Sequence, residues 1–568
     1  MTGALENVIS MLLSLSWLTG PIFDKELRVS SRRKRNYVLR SAYIALLSLF
    51  ILYVWFVTVS IRRIAPGVFA ASRMPEAGKY VITTIIWFQF VAAQLIAIVM
   101  LSTSIGGEVR QRTLGVLMTT PINSLQIVMG KLLGKLLQII LLLGISLPLL
   151  AVVRVFGGVP LDYVVSGLCI TLTAALFAGS LSLLWSVTCR QAYAVVLTIV
   201  TGYLILFGLL PGLIGLVFGG GAVTGSVLFL TNPFIAMLMR TYVMLAIPGK
   251  VGAFSSWPLH CAVMAAATAG VVALAVWRVR GIALSRAFGG TSRRADEKKN
   301  GVSTHRYHRA GVRAIRRVEG APIVWKEMRK PCFGHGRTDV IMYAVLAGVV
   351  LVAVVWLLLV PRGATAAYIL FSYLMSGFSL LVMIRLAVLS AASITSEKEG
   401  MTWPILLTTP LEDREILYGK GIASFRRNLP LLAAMILWYL LLRLIAPFRG
   451  SIAYSYWLYV IPQVVTLAGS VVFLIGLGLY FGVRMKSTSA AVAATVGVYI
   501  GLSWFCCGLF SAFSGFFVMR LLGPAGGGGM SFVLLVSLAR TGLSGLVYAG
   551  FGLLAVRAAR RQLRRSVF

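Results

Sequence analysis

Leu117-Met118-Thr119-Thr120-Pro121-Ile122 leads through Gly130-Lys131 into an unbroken apolar run over 132–153. A polar corner followed by a segment of that length decides the fold class. About 20 mostly apolar residues in a helix cross the hydrocarbon core of a bilayer. Backbone amides find no water there, so only helices and closed barrels can span it. The run is continuous instead of alternating, which selects a helix over a barrel strand. Similar runs recur at 38–60, 80–103, 163–187, 192–218 and 258–280, and again at 338–360, 366–394, 428–446, 453–482, 488–518 and 532–556. They predict an all-α polytopic membrane helical bundle of about twelve transmembrane helices, arranged as two six-helix repeats.

Composition points the same way. Apolar residues make up 59% of the chain and charged residues 12%, with a mean hydropathy of +0.90. A soluble protein carries about 25% charged residues. The formal charge is +37, from 53 Lys and Arg against 16 Asp and Glu. The basic residues cluster at Lys25, Arg28 and Arg32–Arg35, in a connector around 278–330, and at Arg557, Arg560, Arg561, Arg564 and Arg565. With six spans per half, all of these fall on one side. That is the positive-inside pattern; it places both termini in the cytoplasm and removes the need for a nucleic-acid partner. Residues 1–10 lack the basic start of a cleavable signal. The six cysteines lie mostly in apolar runs and form no disulfide framework.

The chain repeats itself. Pro21-Ile22-Phe23-Asp24-Lys25-Glu26-Leu27-Arg28 is matched by Pro322-Ile323-Val324-Trp325-Lys326-Glu327-Met328-Arg329, a shared P-I-x-x-K-E-x-R before the first span of each half. A longer match follows the second span. Glu108 pairs with Glu397, Thr113 with Thr402, and Leu117–Ile122 with Leu406–Leu411; then Ile127 pairs with Ile416 and Gly130-Lys131 with Gly419-Lys420. All share one spacing of 289 residues. Internal duplication accounts for it. The expected domains are residues 1–280, a first repeat with an interfacial helix near 8–19; 281–320, a flexible basic cytoplasmic linker; and 321–568, a second repeat with a basic tail.

Each matched corner has a local reading. Thr120 and Thr409 suit N-cap positions, and Pro121 and Pro410 the first helical position. Glu412, three residues after Thr409, completes a capping box. The expected result is a stiff surface element between the second and third spans.

These residues carry a resemblance. A glutamate, a helix, L-[LM]-T-T-P-[IL] and then I-[VL]-x-G-K resembles the cytoplasmic element of ABC-2 type ABC transporter permeases, and P-I-x-x-K-E-x-R looks like the juxtamembrane start of the same family. The resemblance implies a transmembrane permease subunit, with two fused units in one chain. It also implies coupling helices at about 108–120 and 397–409, docking on separate ABC ATP-binding subunits. Connecting helices would lie at about 8–37 and 309–337. The residues so implicated in coupling are Glu108, Arg110, Thr113, Thr119, Thr120 and Pro121, with Glu397, Glu399, Thr402, Thr408, Thr409 and Pro410. Lys25, Glu26, Arg28, Lys326, Glu327 and Arg329 form the juxtamembrane motif. The first corner reads Glu108-Val109-Arg110 and Leu114-Gly115 where the second reads Glu397-Lys398-Glu399 and Trp403-Pro404, so the two coupling sites are expected to differ.

Other chemistry finds little support in the sequence. No G-x-x-x-x-G-K-[ST] loop is present, so ATP and Mg belong on the partner subunit, and this chain binds no cofactor and performs no catalysis. No carboxylate falls mid-span, which weighs against an ion-coupled secondary transporter; a non-transporting membrane scaffold or assembly protein is the other alternative. His305, His308, Cys332 and His335 have a spacing that zinc could use, but scattered residues in a basic connector explain them. Arg385, in the inner part of the eighth span, is expected to snorkel to the interface. Residues 219–257 are too apolar for a solvated loop and predict a pair of short helices dipping into the outer leaflet. Apolar spans favour export of a hydrophobic or amphipathic substrate.

Overall fold

Long apolar stretches with no water to bond must close their hydrogen bonds internally, and the chain does so as helix. The computed structural model describes residues 16–32, 34–60, 74–110, 122–189, 192–211, 214, 222–245, 256–299, 320–328, 348, 365–445, 452–502 and 529–563. Among these there are helices and no strands. In the first half they are α1 (Ser16–Arg32), α2 (Lys34–Ser60), α3 (Met74–Leu101), α4 (Gly106–Arg110), α5 (Ser124–Gly157) and α6 (Leu161–Thr188). They continue with α7 (Ala192–Leu204), extended by a π-helical turn Ile205–Leu209, then α8 (Ala222–Thr231), α9 (Pro233–Leu245) and α10 (Trp257–Lys299). The second half holds α11 (Pro322–Met328), α12 (Thr365–Glu399), α13 (Trp403–Leu407), α14 (Asp413–Ile445), α15 (Ile452–Arg484), α16 (Thr488–Leu502) and α17 (Gly529–Gln562).

Seven of the described helices are long and apolar enough to cross a membrane, or eight if the bent pair α8–α9 counts as one span. Twelve were expected. The 338–360 span lies outside the described residues except for residue 348, and the spans at 192–218 and 488–518 are described as shorter apolar helices, Ala192–Gly208 and Thr488–Leu502. Helices α2 and α14 run through the expected spans at 38–60 and 428–446.

The two halves pack by the same scheme. In the first, α3 packs on α5 and α6, α10 on α6, and α1 on α5; in the second, α12 packs on α14 and α15, α17 on α15, and α11 on α14. The halves meet where α7 and its π turn face α12. Leu204 reaches Gly377 there, and Tyr203, Phe207, Met375, Phe378 and Trp438 share one buried cluster.

Two expectations change. The connector is helical through Lys299 as a continuation of α10, not a flexible linker from 281; Arg, Ala, Lys and Glu are good helix formers and carry the helix on. Arg385 does not snorkel. It is 1% exposed, because α12 is enclosed by α7, α14 and α15 and offers its guanidinium no lipid interface.

At the end away from the matched corners, α8 and α9 meet at a bend of 112°, in keeping with the dipping pair expected at 219–257. Asn232 makes the bend. Its Oδ1 accepts the N–H groups of Phe234 (2.9 Å) and Ile235 (3.3 Å), capping α9, and its Nδ2 donates to the Phe207 carbonyl in the π turn (2.7 Å). His260 Nδ1 lies 3.0 and 2.9 Å from the carbonyls of Phe229 and Leu230 at the end of α8.

Helices α15 and α17 pack backbone to backbone. A methyl group at Gly469 would overlap the Gly545 carbonyl, and one at Gly476 the Gly552 carbonyl. In return, Gly545 faces the Thr466 backbone and Gly552 that of Phe473, each at 2.7 Å from a notional Cβ. Thr466 Oγ1 donates to the Thr541 carbonyl (2.6 Å) across the seam. Small residues let backbones approach where lipid supplies no hydrophobic drive. Gly476→Leu is therefore expected to cost about 1–3 kcal/mol or more by overpacking. Gly497→Ala, whose Cβ meets nothing within 4 Å, is expected to be neutral; thermal unfolding of the detergent-solubilised chain compares them.

Candidate functional site

The C-terminal end of α3 turns into α4, and the chain returns as α5. Lys131, on the second turn of α5, is 4% exposed. Its ammonium donates to the Ser104 carbonyl at 2.7 Å and pairs with Glu108 Oε1 at 3.1 Å. Beside it, Glu26 of α1 pairs with Lys135 at 2.9 Å. The N–H groups of Ile105 and Gly106 both bond the Ser186 hydroxyl of α6, at 3.3 and 2.9 Å. The corner is thus tied to α5 and α6, and α1 to α5, by polar groups that the membrane end would otherwise leave unpaired.

The second half repeats this at a spacing of 289 residues. Lys420 donates to the Ser393 carbonyl at 2.7 Å and pairs with Glu397 Oε2 at 3.0 Å. Ser393, Glu397 and Lys420 stand where Ser104, Glu108 and Lys131 stand in the first half. Here the cluster is tighter. Lys420 also reaches Glu327 Oε1 at 3.3 Å, and Lys326 pairs with Glu397 Oε1 at 3.0 Å. The Lys420 side chain has no exposure and those of Glu327 and Glu397 have 5% each, while Glu108 in the first corner has 25%. Gly419 admits α11: a Cβ there would stand 3.0 Å from that of Ile323.

The caps repeat as well, but not where the sequence pointed. Gln126 Oε1 accepts the Asn123 N–H (3.1 Å), and Glu415 Oε2 accepts the Glu412 N–H (3.2 Å), again 289 residues apart. Helix α14 therefore starts at Asp413 with Glu412 as its cap, not at Pro410 behind Thr409. The threonines close α13 instead: Thr408 and Thr409 hydroxyls donate to the carbonyls of Ile405 (2.8 Å) and Leu406 (2.6 Å). Pro410-Leu411-Glu412 make the corner, and the reaching-back glutamate is Glu415.

The remaining implicated residues divide. Glu399 Oε1 accepts the Thr488 N–H at the start of α16 (2.8 Å), and Lys398 donates to the Val483 carbonyl at the end of α15. Each charge complements the helix end it meets. Thr402, Thr408 and Pro410 are exposed, with Pro404, Met401 (77%) and Ile405 (66%) beside them. Met401 holds φ 56°, the left-handed conformation that usually falls to glycine after a helix. Trp403, 1% exposed, wedges α13 into a cluster with Ile323, Ile394, Ile416 and Val483. Lys25 and Arg28 are exposed on α1. Thr113, Thr119, Thr120, Pro121 and Arg329 lie outside the described residues, as does the side chain of Arg110; so do His305, His308, Cys332 and His335. No group of three or more metal-binding side chains occurs among the described residues. The sequence singled out Gly130-Lys131 and Gly419-Lys420 as repeat markers without assigning the lysines a partner; the glutamate 23 residues before each was the available signal.

Removing one member of a buried charge cluster leaves the others uncompensated. Lys420→Met is expected to cost about 3–5 kcal/mol, and Lys131→Met distinctly less, since its glutamate is partly solvated. Thermal unfolding of the full chain in detergent ranks the two.

No curated protein and no solved structure shows a match to the chain. Residues 21–286, which carry the first connecting segment, the first corner and the bent pair, match the family model described as ABC-2 family transporter protein. Its apolar helices make the chain an integral membrane protein, and the matched part, residues 21–286, is similar to the ABC-2 transporter family.

Proposed function

We propose that the chain is the transmembrane permease subunit of an ATP-driven exporter, made of two fused ABC-2 units and worked by separate ABC ATP-binding subunits. The observation that carries this is the pair of matched lysine fulcrums. In each half one buried lysine joins the inner end of the second span to the start of the third, and the connecting segment, α1 or α11, packs on that third span. A push on the exposed corner would be transmitted through charge-assisted bonds to the spans instead of being absorbed by a loose loop. ATP and Mg would sit on the partner, and both termini in the cytoplasm of a bacterial inner membrane.

The docking face in the second half would be the exposed rim of α13, Met401, Pro404, Ile405 and Thr408. Glu397 would act from behind it as a strut. The seam between halves is apolar and aromatic, which supports a hydrophobic or amphipathic substrate moved outward. An ion-coupled carrier gains nothing from the two most buried inner carboxylates, Glu327 and Glu397, since both are held by lysines.

The test is reconstitution of the chain with its ATP-binding subunits in nanodiscs. ATP hydrolysis is expected to rise on assembly. Ile405→Asp, which changes an exposed side chain, is expected to cut that stimulation about tenfold, as loss of an interface anchor does, and to leave the thermal midpoint unmoved. Full stimulation by the Ile405→Asp chain would remove α13 as the docking face.

A further inference from the structure

The end of the first half remote from the corners holds a second charged cluster that the transport reading does not use. Arg240, on α9, is 8% exposed. Its Nε donates to the Ser166 hydroxyl (3.2 Å) and its terminal nitrogen pairs with the Asp162 carboxylate. The other oxygen of Asp162 accepts the indole N–H of Trp257 at 3.0 Å. Three helix beginnings or faces therefore converge on one carboxylate: the first turn of α6, the start of α10, and the buried face of α9.

Helix α9 differs from its two neighbours. It is a 13-residue segment joined to α8 through the single non-helical residue Asn232, so it can tilt about that joint without unwinding a span. Its buried face, Ala236, Met237, Arg240, Thr241 and Met244, packs on α6. Thr241 Oγ1 also holds it, 3.0 Å from the Tyr163 hydroxyl on α6 and accepting the Trp87 indole N–H of α3 at 3.1 Å, but those are neutral bonds, and the charged bond is suited to release. The Asp162 side chain is 60% exposed, so water can replace the guanidinium on that side. Its place in the first turn of α6 keeps the carboxylate stabilised by the helix N-terminus once Arg240 leaves.

We propose that Arg240 is the positioning residue of an outer gate, latching α9 against Asp162 and Trp257 in the closed state and letting it swing about Asn232 when the path opens. This rests on the transporter reading for its purpose but not for its test. Ala236, fully buried one turn before Arg240, serves as reporter. In a cysteine-free full-length chain in nanodiscs, Ala236→Cys is labelled with a water-soluble maleimide, without ATP or partner subunits. Arg240→Gln and Asp162→Asn are each expected to raise the labelling rate about tenfold, as local opening follows loss of the ion pair, and Arg240→Lys to bring it back toward the parent value. Ala391→Cys, fully buried in the second half, is expected to stay unreactive throughout. Unchanged labelling at Ala236→Cys, an equal rise at Ala391→Cys, or no recovery with Arg240→Lys would overturn the latch. If Arg240→Gln does not fold, Asp162→Asn decides, since it alters a mostly solvated group. Absence of ATPase stimulation by the parent chain would instead sink the transporter reading and leave these rates untouched.

Discussion

An ammonium group buried at the end of a membrane bundle must be surrounded by acceptors, and that requirement organises both halves of this chain. Lys131 and Lys420 leave water on the second turn of the third span. Each recovers its hydrogen bonds from the carbonyl and the glutamate at the end of the second. A buried lysine without them would be strongly destabilised. The path of the chain between these spans is therefore fixed: the corner has to bring residues 104 and 108 to 131, and residues 393 and 397 to 420. Everything the proposed coupling needs, a stiff joint and an exposed rim, follows from that constraint.

The two joints obey one rule and differ in how many charges satisfy it. In the first, two lysine–glutamate pairs lie side by side, Lys131 with Glu108 and Lys135 with Glu26. In the second, Ser424 stands at the position of Lys135, and Lys420 and Lys326 share Glu327 and Glu397 in one closed cluster. Burial strengthens the mutual attraction and raises the penalty for separating the members. The second joint is the more buried of the two, and Trp403 adds an apolar wedge beside it. The two joints of one polypeptide are therefore unequal.

The helical membrane class was legible because apolar run length is a one-dimensional property, set by bilayer thickness. The repeat was legible because both copies kept the same spacing from glutamate to lysine. The caps were misread for a physical reason. Thr-Pro is a good helix start in isolation, but the Thr409 hydroxyl donates back to the Leu406 carbonyl instead of capping the next helix. Glu415 then reaches the Glu412 amide and starts the helix three residues later. Local propensity offered two solutions, and packing of Trp403 against α11 and α14 chose between them. Arg385 was misread likewise: snorkelling presumes a lipid-facing helix, and nothing in its own span tells that α12 is enclosed by three others.

What the amino-acid sequence determined alone was the solvent each segment requires, where along the chain its positive charge gathers, and the residues that recur at one spacing of 289. Those follow from composition along the chain. Only the tertiary structure decided which charges meet, that Asp162 on one helix holds Arg240 and Trp257 on two others, and that α15 and α17 touch backbone to backbone. Pairings between residues tens of positions apart depend on helix rotation and crossing. Those are settled by side-chain shape over the whole bundle and leave no local mark in the order of residues.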